Sequence, residues 1–331
     1  RTVASDIVQR FIEENLSVVA ITDNNSIGTI WGDEEAVSRM MDLAAPTWYE
    51  LIDDEAQKVN AREKRTVLTI LPGVEISTTG MHLLAIFPPS EPRRKVHFII
   101  CDLLSELGFS VESWGKNPSV GTASVFDALE LVVKKGGIPI PAHIDGSDQA
   151  VLKLYKIKSG VMRNILTHTN LSAVEIVKPS RFSRHNKKVK NTLKQWIDEI
   201  RVKEGQNKLA YFQGSDAHEL SAIGKRYTCI KMTTPSFSGL RTAIAMPSSR
   251  VRISSLHTPI KSGFFIHSMV LDTQFFRKQT IRFNRHGNCI VGKKGSGKTA
   301  LFNLMQTAVT PSVNALSGEV HLFVENIVDS V

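Results

Sequence analysis

Apolar positions along this chain fall into short runs that break into polar residues, and the break repeats. Val18-Val19-Ala20-Ile21 gives way to Thr22-Asp23-Asn24-Asn25, and the run over 67–71 leads into Pro72-Gly73-Val74-Glu75. Residues 137–141 lead to Ala142-His143-Ile144-Asp145, residues 173–177 surround Glu175, and 209–212 end in Gln213-Gly214-Ser215-Asp216-Ala217-His218. Such runs predict strands. Between them apolar residues recur at helical spacing over 5–16, 124–135, 161–166 and 186–203; in the first, Ile7, Val8, Phe11 and Ile12 share a face and Ser5 is the expected cap. Strands alternating with helices predict βα units and a parallel sheet, an α/β fold. In a βα barrel, active sites assemble at the C-terminal edge of the strands. Here side chains that bind metals follow strand after strand.

The periodicity breaks near 247–262, at Pro247-Ser248-Ser249 and Ser254-Ser255. The expected domains are therefore 1–250 and 251–331. In the second, 264–266, 280–283 and 288–291 read as strands, and the last runs into Gly292-Lys293-Lys294-Gly295-Ser296-Gly297-Lys298-Thr299 before an apolar helix over 300–305. This run fits G-x-x-x-x-G-K-[ST] without a mismatch. The spacing suits ATP with Mg²⁺: Gly292, Lys293, Gly295, Ser296 and Gly297 turn backbone N–H groups around phosphate oxygens, Lys298 neutralises the β/γ charge, and Thr299 holds Mg²⁺. No apolar stretch ending in Asp-Glu follows as far as Val331, so the hydrolytic half of an ATPase is not visible. Leu316-Ser317-Gly318-Glu319 resembles the signature loop of ABC-type ATPases over four residues only.

Composition narrows the class. With 42% hydrophobic and 22% charged residues among 331, the chain is globular, long enough for two or three domains. It has no apolar run of about 20 residues, which excludes a membrane-embedded protein. Cys101, Cys229 and Cys289 form no CxxC pair, which excludes a disulfide framework or a zinc ribbon and suits a reducing cytosol. No signal peptide is visible, so a cytoplasmic location is expected, and a start at Arg1 rather than Met leads us to expect residues upstream. The net charge of +9 favours polyanionic partners, nucleic acid or nucleotides, although solubility explains it equally well. The densest basic stretch carries Arg181, Arg184, Lys187, Lys188, Lys190 and Lys194, which reads either as a binding surface or as a solvated face.

The strand-end cluster comprises Asp23, Glu75, His143, Asp216 and His218. Imidazole and carboxylate together suit Zn²⁺, Mn²⁺ or Fe²⁺, ions that activate water for hydrolysis. All five are expected metal ligands, with His143, Asp216 and His218 closest to the chemistry. His82, after the Glu75 strand, is a further candidate. Glu175 is expected at the barrel mouth, and Lys225 and Arg226 read either as substrate-phosphate contacts or as surface ion pairs.

Thr22-Asp23-Asn24-Asn25-Ser26, Gly73-Val74-Glu75-Ile76-Ser77, Ala142-His143 and Gly214-Ser215-Asp216-Ala217-His218 resemble successive motifs of the PHP (polymerase and histidinol phosphatase) superfamily. That resemblance covers about residues 1–250. It implies a distorted (β/α)7 barrel with a multinuclear metal centre that hydrolyses phosphoesters. With the P-loop unit behind it, read as a partial SMC/ABC-like ATPase lobe, the order resembles PHP–ATPase fusions of bacterial anti-phage defence. Such ATPases bury ATP between two lobes, which implies a homo-oligomer formed through the second domain. The sequence departs from the family twice: an opening His-x-His is absent, and Asn24 stands where the family has histidine. The alternative reading is an ATP-gated nucleic-acid sensor, or a DNA-stimulated ATPase, with a degenerate PHP barrel.

Overall fold

Side-chain caps set where several helices of the first unit begin. The computed structural model describes residues 3–26, 46–79, 81–115, 119–146, 152, 159–188, 190–253, 264–272, 276–284, 288–309 and 319–326. At helix Val125–Lys134, the Ser124 hydroxyl accepts from the Asp127 N–H at 3.2 Å, and the Asp127 carboxylate accepts from the Ser124 N–H at 3.1 Å. Val125, Ala128, Leu129 and Val132 then form its buried stripe, and Gly136 at φ +86° turns the chain out. Thr47 and Glu50 cap helix Trp48–Glu63 in the same way. Ser5 does not act as a cap: helix Ala4–Glu13 starts after Val3, whose N–H donates to Asp6. The helix expected over 186–203 begins only at Leu193, capped by Thr192, because the preceding residues pair as a hairpin.

The strands in chain order are β1 Val18–Ile21, β2 Thr69–Ser77, β3 His82–Ile86, β4 Ile138–Pro141, β5 Ala173–Glu175, β6 His185–Asn186, β7 Asn191–Thr192, β8 Ala210–Phe212, β9 Cys229–Ile230 and β10 Val251–Arg252. Hydrogen bonds join β1-β2-β3-β4 into one sheet, with β5 pairing β8, β6 pairing β7 and β9 pairing β10. The all-parallel sheet expected from the alternating pattern is therefore corrected to a mixed one. β1 and β2 are parallel, while β3 is antiparallel to both β2 and β4. The cause is the short connection over 78–81, since a parallel return needs a crossover of about a dozen residues. The reversal leaves β1, β2 and β4 pointing the same way. Their C-terminal ends and the first residue of β3, His82, thus share one edge.

β2 also passes through the break expected at Pro72-Gly73 and continues to Ser77, so Glu75 lies within a strand. Gly73 allows this, because a Cβ there would stand 2.8 Å from the Ala85 carbonyl oxygen and 2.9 Å from the Thr22 methyl. Side chains alternate along β3: Leu83 and Ala85 join the core shared with the outer helices, whereas Leu84 and Ile86 join a second cluster. That second cluster gathers Leu71, Ile138, Ile140, Ala173 and Ala210 from β2, β4, β5 and β8. Each large apolar side chain fully buried here contributes about 1.5–3 kcal/mol. No helix among the described residues is long and apolar enough to cross a membrane.

Residues Arg1–Thr258 form the first unit and Pro259–Val331 a second. Ser254 and Ser255 of the expected linker, and Leu316, Ser317 and Gly318, lie outside the described residues. In the second unit β11 Phe264–Asp272 sits between β12 Gln279–Arg282 and β13 Glu319–Asn326, all antiparallel. Met269, Leu271, Leu301 and Leu304 form its core. The strand expected over 288–291 is not formed. Asn284 and Asn288 hydrogen-bond to each other instead, at 2.7 and 2.9 Å, and Val291 is 87% exposed, although Ile290 packs against the core.

Candidate metal centre

The shared strand edge brings three ligand atoms together. Glu75 Oε1 lies 2.8 Å from His82 Nδ1 and 3.6 Å from His143 Nε2, and the two ring nitrogens are 3.3 Å apart. Two imidazoles and a carboxylate around one cation, bound at about 2.0–2.2 Å, stand roughly 3–3.5 Å from one another. The triangle has that size, and its donor set suits Zn²⁺, Mn²⁺ or Fe²⁺. Burial pushes the Glu75 carboxyl up, but hydrogen bonds from His143 and His82 and their charges outweigh it and bring it down to about 2. His143 is raised, first by its hydrogen bond to Glu75 and against the effect of burial. Glu75 is thus ionised at neutral pH.

The loop after β1 is locked to β2 from both sides. Asn25 N–H donates to the Glu75 carbonyl at 2.7 Å, and Glu75 N–H donates to the Asp23 carbonyl at 3.0 Å. Asn25 is fully buried at φ +49°, a left-handed conformation that asparagine tolerates. Its carboxamide oxygen accepts from Ser77 N–H at 2.9 Å, and its amide donates to the Ser119 carbonyl at 3.0 Å. Asn24 Oδ1 accepts from the Ser77 hydroxyl at 3.3 Å and is not a corner of the triangle. This bracing presents Asp23, whose Oδ2 is buried and finds no hydrogen-bond partner among the described residues. Burial raises its pKa to about 6, opposed by the charge of His218. A buried carboxylate oxygen without a donor costs on the order of 1–3 kcal/mol, and a cation relieves that cost.

Glu175 organises the other side. One carboxylate oxygen accepts from His143 N–H at 3.0 Å, the other from Gly214 N–H at 3.1 Å. His143 (φ +32°) and Asp216 (φ +50°) both sit in the sparsely populated left-handed region, held there by the loops that Glu175 ties together. A Cβ on Gly214 would stand 2.9 Å from Glu175 Oε1, so a larger residue there would push that carboxylate aside. Burial raises the Glu175 carboxyl, and the two N–H donors and the His143 charge oppose it. Glu175→Ala is expected to strand two backbone donors at about 1–3 kcal/mol each; chemical denaturation of the metal-free chain measures the loss.

Asp216 and His218 stand outside the triangle, 3.6 Å from each other, with His218 almost fully exposed. Electrostatics still couple them to it: Asp216 helps raise His143, and His218 acts on Asp23. Of the five expected ligands, then, the structure brings Glu75 and His143 together and leaves Asp23, Asp216 and His218 around them. The third corner is His82, the further candidate after the Glu75 strand, which lies at this edge because β3 starts, rather than ends, there. The Arg226 guanidinium forms no ion pair among the described residues; it donates to the Gly214 and Ser215 carbonyls, both at 3.0 Å, and braces the loop.

No protein-family model matches this chain, and no curated protein matches it in sequence. Two solved structures align with part of it. The lesion-specific endonuclease PfuEndoQ from Pyrococcus furiosus aligns over 75% of this chain and 52% of its own, at 16% identity and a TM-score of 0.44. A protein from Bifidobacterium adolescentis described as a metal-dependent phosphoesterase aligns over 74% of this chain and 91% of its own, at 14% identity and a TM-score of 0.39. The chain spans about half the length of the endonuclease.

In the second unit the glycine-rich run forms an exposed loop at the head of helix Lys298–Val309. Gly295 and Gly297 take φ +83° and +87°, which a side chain would resist. Lys298 Nζ folds back to donate to the Gly292 and Lys293 carbonyls, each at 2.7 Å. Ser296 N–H bonds the Lys293 carbonyl, and Thr299 is exposed in the first turn of the helix.

Proposed function

We propose that the first unit is a divalent-metal-dependent phosphoesterase of the PHP type, acting on phosphodiesters of nucleic acid or nucleotides. The carrying observation is the Glu75–His82–His143 triangle at the shared strand edge. A cation held there supplies Lewis-acid polarisation of a phosphoryl oxygen and activates water at neutral pH. Glu75, already ionised, binds without first losing a proton. His143, its pKa raised by Glu75, must give up its proton to bind through a ring nitrogen, so loading weakens as pH falls; His82 likewise binds through a ring nitrogen. Asp23 adds its free oxygen. At the rim His218 protonates the leaving oxygen, and Asp216 orients the imidazole. Glu175 and Arg226 hold the loops and touch no substrate. The test is hydrolysis of bis(p-nitrophenyl) phosphate and p-nitrophenyl phosphate by chelator-stripped protein reloaded with Mn²⁺ or Zn²⁺. Turnover that returns only with metal is expected; none with either ion sinks the reading.

For the second unit the reading is ATP with Mg²⁺ at Gly292 to Thr299, self-association through that unit, and a role in anti-phage defence. The motif and the Lys298 geometry support nucleotide binding; the defence role rests on the resemblance alone and is tested by plaque counts. The rival, a sensor or DNA-stimulated ATPase with a degenerate barrel, is favoured by Asn24, which supplies no imidazole and turns to Ser77. It predicts little tightly bound transition metal and ATP hydrolysis that survives Asp216→Ala.

A further inference from the structure

Beside the triangle, the segment that follows β5 is basic and carries no acid from Lys178 to Thr192. Lys178, Arg181, Arg184 and His185, with Ser180 and Asn186, line an open pocket of about 260 Å³. Beyond it the β6–β7 hairpin carries Lys187, Lys188 and Lys190 at its tip, all exposed. None of these six lysines and arginines has an ion-pair partner among the described residues. Lys194, by contrast, is engaged: its ammonium lies 2.8 Å from Asp198 and 5.0 Å over the Tyr211 ring. The stretch that reads as one basic run in sequence is therefore two things in space, a paired Lys194 and six cations without an ion pair among the described residues.

The segment is fixed to the loop that presents His143. Asp145, two residues on and fully buried, accepts from the Val177 and Lys178 N–H groups at 2.6 and 2.7 Å, and its carbonyl accepts from the Arg181 guanidinium at 3.1 Å. Gln213, on the loop leading to Asp216, donates to the Val177 carbonyl at 3.3 Å. These bonds hold the cation row against the two loops of the candidate centre. Beyond the buried Asp145 carboxylate, which the Val177 and Lys178 N–H groups occupy, like charges gathered along one segment cost electrostatic energy unless a polyanion meets them.

We infer that the surface formed by Lys178, Arg181, Arg184, Lys187, Lys188 and Lys190 binds the sugar-phosphate backbone of single-stranded nucleic acid and feeds it to the neighbouring centre. A lone phosphate is satisfied by two or three cations; a row leading out of a pocket to a hairpin tip matches a chain of phosphates. Recognition is of backbone charge, without base specificity. The inference rests on the phosphoester reading of the adjacent site for what the surface delivers, and its test is independent of that reading.

The experiment titrates the whole chain against a fluorescein-labelled single-stranded oligodeoxynucleotide in EDTA, so that nothing is cleaved, and follows anisotropy across salt concentrations. The triple variant R184E/K187E/K188E is expected to bind about a hundredfold more weakly at 0.1 M salt, its log–log salt slope shallower by about two, since each lost contact to a single strand removes about 0.7. The neutral triple R184Q/K187Q/K188Q is expected to show the same slope change, and thermal melting confirms that both fold. Equal affinity and slope for the parent and both variants overturn the inference. So does a parent chain that binds no oligonucleotide at low salt, or one from which equimolar inorganic phosphate or AMP displaces it. Hydrolysis of bis(p-nitrophenyl) phosphate by the parent chain decides the phosphoester reading separately, whichever way binding falls.

Discussion

Glu75→Gln is expected to abolish tight divalent-metal binding and, with it, phosphoester hydrolysis. Glutamine keeps the size of glutamate and an oxygen that can accept from His82, but it removes the negative charge at the one atom shared by both histidines. Changing only the outer partner of a metal ligand costs about 10–100-fold in affinity or activity, so losing a charged ligand is expected to exceed a hundredfold. His143→Ala together with Asp216→Ala is expected to be equally inactive while leaving nucleotide binding intact, because the two units carry separate sites. Asp216→Ala alone separates triangle from rim: it should keep the metal and lose turnover. Titration of the metal-free proteins with Mn²⁺ or Zn²⁺ against a chelating indicator reads affinity, and the chromogenic phosphoesters read turnover. Glu75→Gln protein that loads metal as tightly as its parent removes the triangle from consideration. The same substitution changes pH behaviour. The depressed carboxyl of Glu75 contributes stability that is complete above its unfolded value near 4.5 and is lost as pH falls through about 2, so the metal-free variant should lack that acid transition.

Lys298→Ala is expected to weaken ATP binding by about ten- to a hundredfold, the equivalent of one charge-assisted hydrogen bond at roughly 1.5–3 kcal/mol. Lys298 holds its ammonium inside the glycine loop on two carbonyl oxygens, a tether that phosphate oxygens displace at little geometric cost. The cradle of backbone N–H groups from Gly292 to Gly297 survives the change. The fold should survive as well, because the core of this unit is made by Met269, Leu271, Leu301 and Leu304 and not by the lysine stem. Calorimetric titration of ATP with Mg²⁺ into parent and variant measures the difference. Equal affinities would mean that Lys298 faces no phosphate in this chain. Divalent-metal binding by the first unit is expected to be the same in variant and parent.

Much of this protein was legible in its residues. Short apolar runs marked β1, β4, β5 and β8 to within about two residues, because a buried strand needs only four or five consecutive apolar side chains. The polar residues after them, Asp23, His143 and Asp216, stand at the expected strand ends. The glycine-lysine run likewise sits at the head of a helix, with Gly295 and Gly297 in the left-handed region. These features are local, set by a few adjacent side chains and by what glycine permits.

What the residues alone did not determine depends on strand direction and on partners distant in sequence. A connection over 78–81 reverses β3, and that one reversal carries His82 to the edge where β1, β2 and β4 end; periodicity is blind to it, since a strand alternates identically in either direction. Glu175 reads as one acid in an apolar run, yet its two oxygens join the loops of His143 and Gly214 across 32 and 39 residues. Lys194 and Lys188 are alike in composition; helix spacing sets Asp198 one turn from the first, but only packing lays that ammonium over Tyr211, while the second stays in water. The sequence by itself thus determined which chemical groups follow which strands, because that order is covalent. The tertiary structure decided which of them share a site, because the distance between side chains is set by strand pairing and burial and not by their separation along the chain.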